Sequence, residues 1–469
     1  MKKLLGNAEK YTNKACFAAL CVMVAYATLF GTADLSRWLG GMNLWSAATL
    51  IMLLCAVPGM LMHLKRIVKN PFMWILIAFG LWNVVCLAVG IRNGNQMGKI
   101  LGDVKSIIYF VMLPALLYVI DDKKKVHILM NIAVVASILL GVFTCVFLWC
   151  YAIDRTYLGP VTNFCLDSSY LNLTYVSSKI PRILFVSAPY QLYGCAFSVY
   201  FLANKAKKRW PYIFACSISL FSFIITFTRA LYLATAVAAL LAVMLMIYSY
   251  QNQWKRTLRG VAVSAVGCIA ILVCFSLMAG TNYFGFALQR VFVSAEETIP
   301  PEATDPITNP GFDPVTDPSI DPDSDPATEP NAEDKYLNAT AVSDGIRAKI
   351  KRQMLEILRE DPVFGNGLGT VLPNRRTAPE YSYLDVAIKS GWVGLALYLM
   401  PIVLMVFFLV RDLLRKRNMS LSCIWISALA GQMTYAIFQP YIYSGMSILL
   451  YCGTLAVCAL EHEKVDSNR

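Results

Sequence analysis

The chain has 469 residues, of which 57% are hydrophobic and 15% charged, with a mean hydropathy of +0.56 and a formal charge of +12. That much apolar surface exceeds what one soluble core can bury, which excludes an ordinary soluble globular class. The positive balance would fit nucleic acid, but the basic residues fall in loops between apolar runs, so they report membrane topology and no nucleic-acid partner is expected.

The apolar residues come in blocks of about 17–25, the length at which a helix crosses the hydrocarbon layer. Within lipid, backbone groups must be satisfied internally, which favours helices. The first block, from about Ala15 to Thr32, ends on Gly31-Thr32-Ala33, a weak cleavage site, and is read as a retained span. Hydropathy predicts about twelve spans. Their centres lie near Val22, Met52, Ile77, Val111, Leu139, Cys195, Leu220, Leu240, Ile269, Tyr398, Ile426 and Leu450. The seventh and eighth nearly touch at Thr226-Phe227-Thr228-Arg229. Most of the fourteen cysteines lie inside these blocks and read as small hydrophobes; Cys165 is the one placed in a polar loop.

Alternate loops are basic: Lys10 and Lys14, Lys65 to Lys69, Lys123 to Lys125, Lys205 to Arg209, Lys255 to Arg259, and Arg411 to Arg417. The positive-inside rule makes that side cytoplasmic and puts both termini there. The expected organisation is a membrane domain over 1–280 carrying spans one to nine, an extracytoplasmic loop over 281–383, and a second membrane portion over 384–469 with spans ten to twelve and a cytoplasmic tail.

Two outer loops are sizeable, from about Asp154 to Ser187 and from about Thr281 to Tyr383. The second opens, over 300–330, with repeated Asp-Pro pairs such as Asp305-Pro306 and Asp313-Pro314. Proline removes donors and the acids repel, so this insert is expected to be extended and dispensable. A basic amphipathic helix is predicted over 343–361, with Ser343 as N-cap and Ile346, Ile350, Met354, Ile357 and Leu358 on one face. Pro362 closes it. Phe364-Gly365-Asn366-Gly367-Leu368-Gly369 follows; it lacks the strand and lysine of a nucleotide loop and reads as a turn whose backbone passes close to something.

Among outer-face residues, Arg182 stands just before the sixth block and Arg229 in the tight turn before the eighth. An arginine so placed either snorkels to lipid headgroups or uses its planar fork on phosphate. Two of them facing one cavity would make a pyrophosphate site. Glu380 closes the long loop. Its plain reading is a solvated carboxylate. The three histidines, His63, His127 and His462, all fall on the cytoplasmic side, so a carboxylate is the expected external general base. No metal-ligand spacing and no cofactor motif is present, and a transporter or flippase of lipid-linked sugars is the rival class, disfavoured by the lack of internal repeats.

These residues resemble the O-antigen polymerase and O-antigen ligase superfamily of bacterial envelopes. The resemblance rests on Pro181-Arg182 before Ser187-Ala188-Pro189-Tyr190, on Phe227-Thr228-Arg229-Ala230-Leu231, and on Arg347 with its helix. It continues through Pro362-Val363-Phe364-Gly365-Asn366-Gly367, Glu380-Tyr381-Ser382-Tyr383-Leu384 and Gly391-Trp392-Val393-Gly394. Tyr190 replaces the family's asparagine. Glu380 stands where the ligases of the family carry histidine, which favours a polymerase over a ligase. The resemblance implies an all-α, polytopic fold like the C-type membrane glycosyltransferases and a glycan donor on undecaprenyl pyrophosphate. It implies that Arg182 and Arg229 hold the pyrophosphate without a metal and that Glu380 deprotonates the acceptor. Arg347, Tyr383, Gly365 and Gly367 are the implied substrate contacts. Membrane lipids, a flippase and a chain-length regulator are the implied partners.

Overall fold

The computed structural model describes residues 2–33, 35, 43–153, 158–177, 180–204, 209–249, 254–292, 332–372 and 381–466. The Asp-Pro insert, Asp154 and Glu380 lie outside them. The chain runs through α1 (Lys2–Phe30), α2 (Leu44–Met62), α3 (Leu64–Lys69), α4 (Pro71–Arg92), α5 (Met97–Ile108), α6 (Met112–Val119), α7 (Lys123–Ile153) and α8 (Gly159–Asp167). A hairpin of β1 (Leu171–Ser177) and β2 (Ile180–Phe185) follows. Then come α9 (Ala188–Ala203), α10 (Trp210–Ile225), α11 (Arg229–Ser249), α12 (Trp254–Ala279), α13 (Tyr283–Phe292), α14 (Ala332–Glu360), α15 (Ser382–Leu414), α16 (Ser420–Ala436) and α17 (Gly445–Asp466).

The protein is an all-α, multi-pass membrane protein. Eleven of the twelve expected centres fall in these helices, Val111 falls in the short 3-10 turn Tyr109–Val111 that joins α5 to α6, and among the described residues nine helical segments are long and apolar enough to cross a membrane. The centres at Cys195, Leu220 and Ile426 lie in helices of 16, 16 and 17 residues. Two groups of helices behave oppositely. Most of α9 and α16 is buried, Gln191 and Gln432 included, whereas α4 and α12 bury little and expose Leu81, Val266 and Leu277. An apolar outer surface around a polar-tolerant centre is what lipid selects.

Small residues and side-chain hydrogen bonds join the inner helices. A side chain at Gly194 would overlap the Ser137 hydroxyl, so α7 and α9 touch there. At Gly431 the added carbon would come 2.8 Å from Ala238 of α11. Tyr193 donates to Gln432 Oε1 at 2.8 Å, and Gln191 donates to the Ser137 carbonyl at 3.1 Å.

Three expectations are corrected. Cys165 sits in α8 and is buried, because the first outer loop folds into a helix and hairpin in place of a polar loop. Apolar and polar residues alternate in sequence over Leu171-Asn172-Leu173-Thr174, the period of a strand, and β1 pairs antiparallel with β2. The amphipathic helix begins at Ala332, so Ser343 lies inside it and not at its N-terminus. The residues before Ser343 contain good helix formers such as Ala332, Glu333 and Leu337, which carry the helix back past the cap signal.

The basic loops meet on one face. Arg66 pairs with Glu463 at 2.6 Å, Lys123 with Glu461 at 3.3 Å, and Lys125 donates to Asn13 at 2.5 Å. His63 lies 2.7 Å from Glu9, and the buried Asp412 carboxylate gathers Arg417 and His462 at 2.9 Å each.

At the other end, α15 is broken at Gly391, with φ +65° and ψ −178°. The break strands backbone groups that a membrane helix cannot leave open. The glycine-rich turn repairs them: Asn366 N–H donates to Ile388 O at 2.7 Å, and Trp392 N–H donates to Pro362 O at 2.9 Å. Trp82 of α4 donates to Ser390 O at 2.8 Å while its ring stacks on Phe364 at 5.2 Å. The turn also docks on α4, where Leu368 N–H donates to Cys86 O at 3.0 Å.

Gly367 has φ +84°, and a side chain there would overlap the backbone of Gly90. Gly367→Ala should therefore cost about 2–5 kcal/mol through left-handed strain and overpacking. Gly345→Ala, in open space within α14, should be neutral or stabilising by up to about 1 kcal/mol. Thermal unfolding in detergent checks both, and equal melting of the two variants would contradict the docking of the turn. For orientation, a membrane-impermeant thiol reagent applied to intact cells should reach a cysteine introduced at Asn309 but not one at Lys124; the reverse pattern would invert the topology.

Candidate functional site

On the face opposite the basic loops, the hairpin carries Arg182 on β2, in register with Thr174 of β1. Its guanidinium reaches across to the α10–α11 turn. Nε donates to Thr226 O at 3.0 Å, and the terminal nitrogen donates to Thr228 Oγ1 at 3.1 Å. The turn is strained, because Phe227 holds φ +47° without being glycine. Burial of its ring, stacked on Tyr283 at 6.4 Å, offsets that strain. Thr226 closes the turn on itself, its hydroxyl accepting from Thr228 N–H at 3.3 Å.

Arg229 then opens α11. Arg182 thus holds the residue next to Arg229, and the two expected phosphate ligands belong to one local structure. A cation at a helix start opposes the helix dipole, so the junction is a positive spot that favours an anion. The third arginine comes from another direction. α14 packs against β1 and α15, and the charges of Arg182 and Arg347 both act on the Tyr435 phenol at the end of α16. Tyr435 lies 5.2 Å from the Tyr441 ring, which lies 6.2 Å from Tyr190. Tyr190, standing in the family's asparagine position, shares a hydrogen bond of 2.8 Å with Ser444.

Three other expected contacts turn inward. Tyr383 donates its hydroxyl to Met433 O at 2.9 Å, satisfying one of the terminal carbonyls of α16, and so anchors α15 on α16. The open sides of Gly365 and Gly367 face the backbone of α15 and α4 and not a substrate space. The two glycines therefore serve packing, because the turn is consumed in repairing the broken helix, and Tyr383 serves the α15–α16 contact. Glu380 lies outside the described residues; Tyr381, next to it, is the N-cap of α15.

A buried charge cluster was missed in the sequence. Lys389 donates to Asp385 at 2.8 Å and to Asp103 of α5 at 2.9 Å, and the other Asp103 oxygen accepts from Gly369 N–H at 2.8 Å. Asp385 and Lys389 are 6% and 8% exposed. The second Asp385 oxygen makes no hydrogen bond among the described residues. The available signal was the spacing of Asp385 and Lys389, four apart at the start of an apolar run, which puts opposite charges on one helix face. Among the described residues, no group of three or more His, Cys, Asp or Glu side chains is placed to hold a metal ion.

Lys389→Met leaves the buried Asp385 and the half-buried Asp103 without their counter-charge and should destabilise by about 3–5 kcal/mol. Adding Asp103→Asn should recover part of that loss. A single variant that melts with the parent would show that the bridge contributes nothing.

No curated protein matches the chain. Residues 214–399 match a family model described as O-antigen ligase. That segment contains Arg229, Arg347, the glycine turn, Glu380 and the Asp385–Lys389 pair, while Arg182 precedes it. Over residues 214–399 the chain is therefore similar to the O-antigen ligase family, which supports a place in the O-antigen ligase and polymerase superfamily.

Proposed function

We propose that the protein is a glycan polymerase of the plasma membrane. It transfers an oligosaccharide from undecaprenyl pyrophosphate to a hydroxyl of another lipid-linked glycan on the outer face, for a capsule, exopolysaccharide or O-antigen-like product. The observation that carries this reading is the junction at which Arg182 grips the turn ahead of Arg229. Guanidinium forks suit pyrophosphate oxygens, and positive charge fixed beside them stabilises the leaving group without reorganisation. In the proposed step the acceptor oxygen attacks the anomeric carbon of the donor sugar. The bond from that carbon to the phosphate oxygen breaks, and the pyrophosphate leaves with the electron pair. The acceptor proton passes to the Glu380 carboxylate. Pyrophosphate is a good leaving group, so the arginines suffice without a metal. Arg347, acting on the same Tyr435 as Arg182, is assigned to sugar or phosphate. Flippase and chain-length proteins remain proposed partners.

The matched family's description favours the second reading, a ligase. Its histidine is the obstacle. His63 and His462 are engaged by Glu9 and Asp412 on the basic face, and His127 lies 2.9 Å from Tyr200 in the first turns of α7, beside Lys123 to Lys125. A carboxylate base at Glu380 fits a polymerase acting on a hydroxyl.

The test uses purified protein and a lipid-linked repeat unit. Glu380→Gln should lower the rate by about 10²–10⁴-fold while donor binding persists. Arg182→Lys and Arg229→Lys should each impair turnover strongly, because a point charge cannot supply the fork. Near-parental rates in Glu380→Gln would remove the base assignment. Near-parental rates in both lysine variants would reduce the arginines to structural or lipid-anchoring residues.

A further inference from the structure

A cavity of about 480 Å³ opens on the basic face, where α3, the start of α4, α15 and the end of α17 meet. Its size is that of a site for a small organic ligand. Its lining has two characters. The floor is apolar, formed by Phe72 and Phe408 together with Pro71 and Ala459. The rest of the lining is polar and mostly basic: Lys65, Arg66 and Lys69 supply the cations, with Asn70, His462 and the Glu463 carboxylate that pairs with Arg66.

These cations are not equivalent. Arg66 is held by Glu463 through Nε at 2.9 Å and a terminal nitrogen at 2.6 Å. His462 is held by Asp412 and stacks on Phe408 at 4.8 Å. Both therefore build the wall. Lys65 and Lys69 are exposed and make no ion pair among the described residues. They stand four apart on α3, so their ammonium groups share one face, while Ile67 between them is buried and pins the helix down.

The level in the membrane is also marked. α3 is a six-residue link between two spanning helices, and Trp74 in the first turn of α4 is 59% exposed, the placement of an interfacial aromatic. Two unpaired cations above an apolar floor at this depth complement an amphiphile with an anionic phosphate head. A free phosphate would gain nothing from the phenylalanine floor. A zwitterionic lipid would bring its own cation against the lysines. The geometry points to a binding site for the headgroup of an anionic phospholipid, with Lys65 and Lys69 on the phosphodiester and Phe72 and Phe408 under the glycerol and first acyl carbons. The bound lipid ties α3, α15 and α17 together at the face opposite the arginine junction.

The experiment titrates dioleoyl phosphatidylglycerol into the full-length protein in neutral detergent, read by native mass spectrometry and by a binding isotherm. The readout is independent of any glycan-transfer activity. One tightly retained lipid is expected on the parent protein. Lys65→Gln with Lys69→Gln should weaken binding about thirtyfold, about fivefold for each lysine. Lys65→Arg with Lys69→Arg should restore it, which separates lost charge from lost fold. Lys255→Gln with Arg259→Gln, an equal charge loss elsewhere on the same face, should leave binding within about twofold. Dioleoyl phosphatidylcholine and millimolar inorganic phosphate should not compete. Unchanged binding in the Lys65/Lys69 glutamine variant, or equal loss in the Lys255/Arg259 control, would overturn the site. Competition by inorganic phosphate would do the same by showing a simple anion hole.

Discussion

Hydrocarbon does not tolerate an open backbone group, and the architecture at the proposed outer end follows from how the chain meets that constraint at Gly391. The reversal of α15 there frees the carbonyls of Ile388 and Ser390 and the N–H of Trp392. All three are taken up by the glycine turn and by Trp82, so the break exists only with the turn docked against it. Docking requires glycine at 365 and 367, because α15 and α4 occupy the space of any side chain. The Asp103–Lys389–Asp385 bridge then fastens α5 to both the turn and the first half of α15. The start of α15, next to Glu380 in the chain, is thereby held by three independent connections.

Charge is divided between the two ends with different purposes. On the basic face some cations meet acids from other helices, as Arg66 meets Glu463 and Lys123 meets Glu461, and such pairs bind helix ends together. At the opposite end Arg182 spends its donors on a neutral carbonyl and a threonine hydroxyl. Those bonds fix the guanidinium against the α10–α11 turn.

The substitutions within the family pattern also find physical places. Tyr190 fills the asparagine position with a ring buried among Tyr441 and the start of α17, and its hydroxyl is met by Ser444 and Ser447. Thr228 presents the hydroxyl that accepts from Arg182.

What the sequence determined by itself is whatever depends on composition along the chain. Apolar blocks of bilayer length located the helices, and clustered lysine and arginine grouped the loops that converge on one face, because lipid and charge act on each segment directly. The arginines at span entrances were legible for the same reason. Tertiary structure alone decided which polar groups meet. The β-hairpin that aims Arg182 at Thr226, the inward use of Tyr383, the packing role of Gly365 and Gly367, and the pairing of Asp103 with Lys389 across 286 positions all depend on contacts between segments distant in sequence. No local pattern encodes such pairings, since each residue's role is fixed by the partner that folding brings to it.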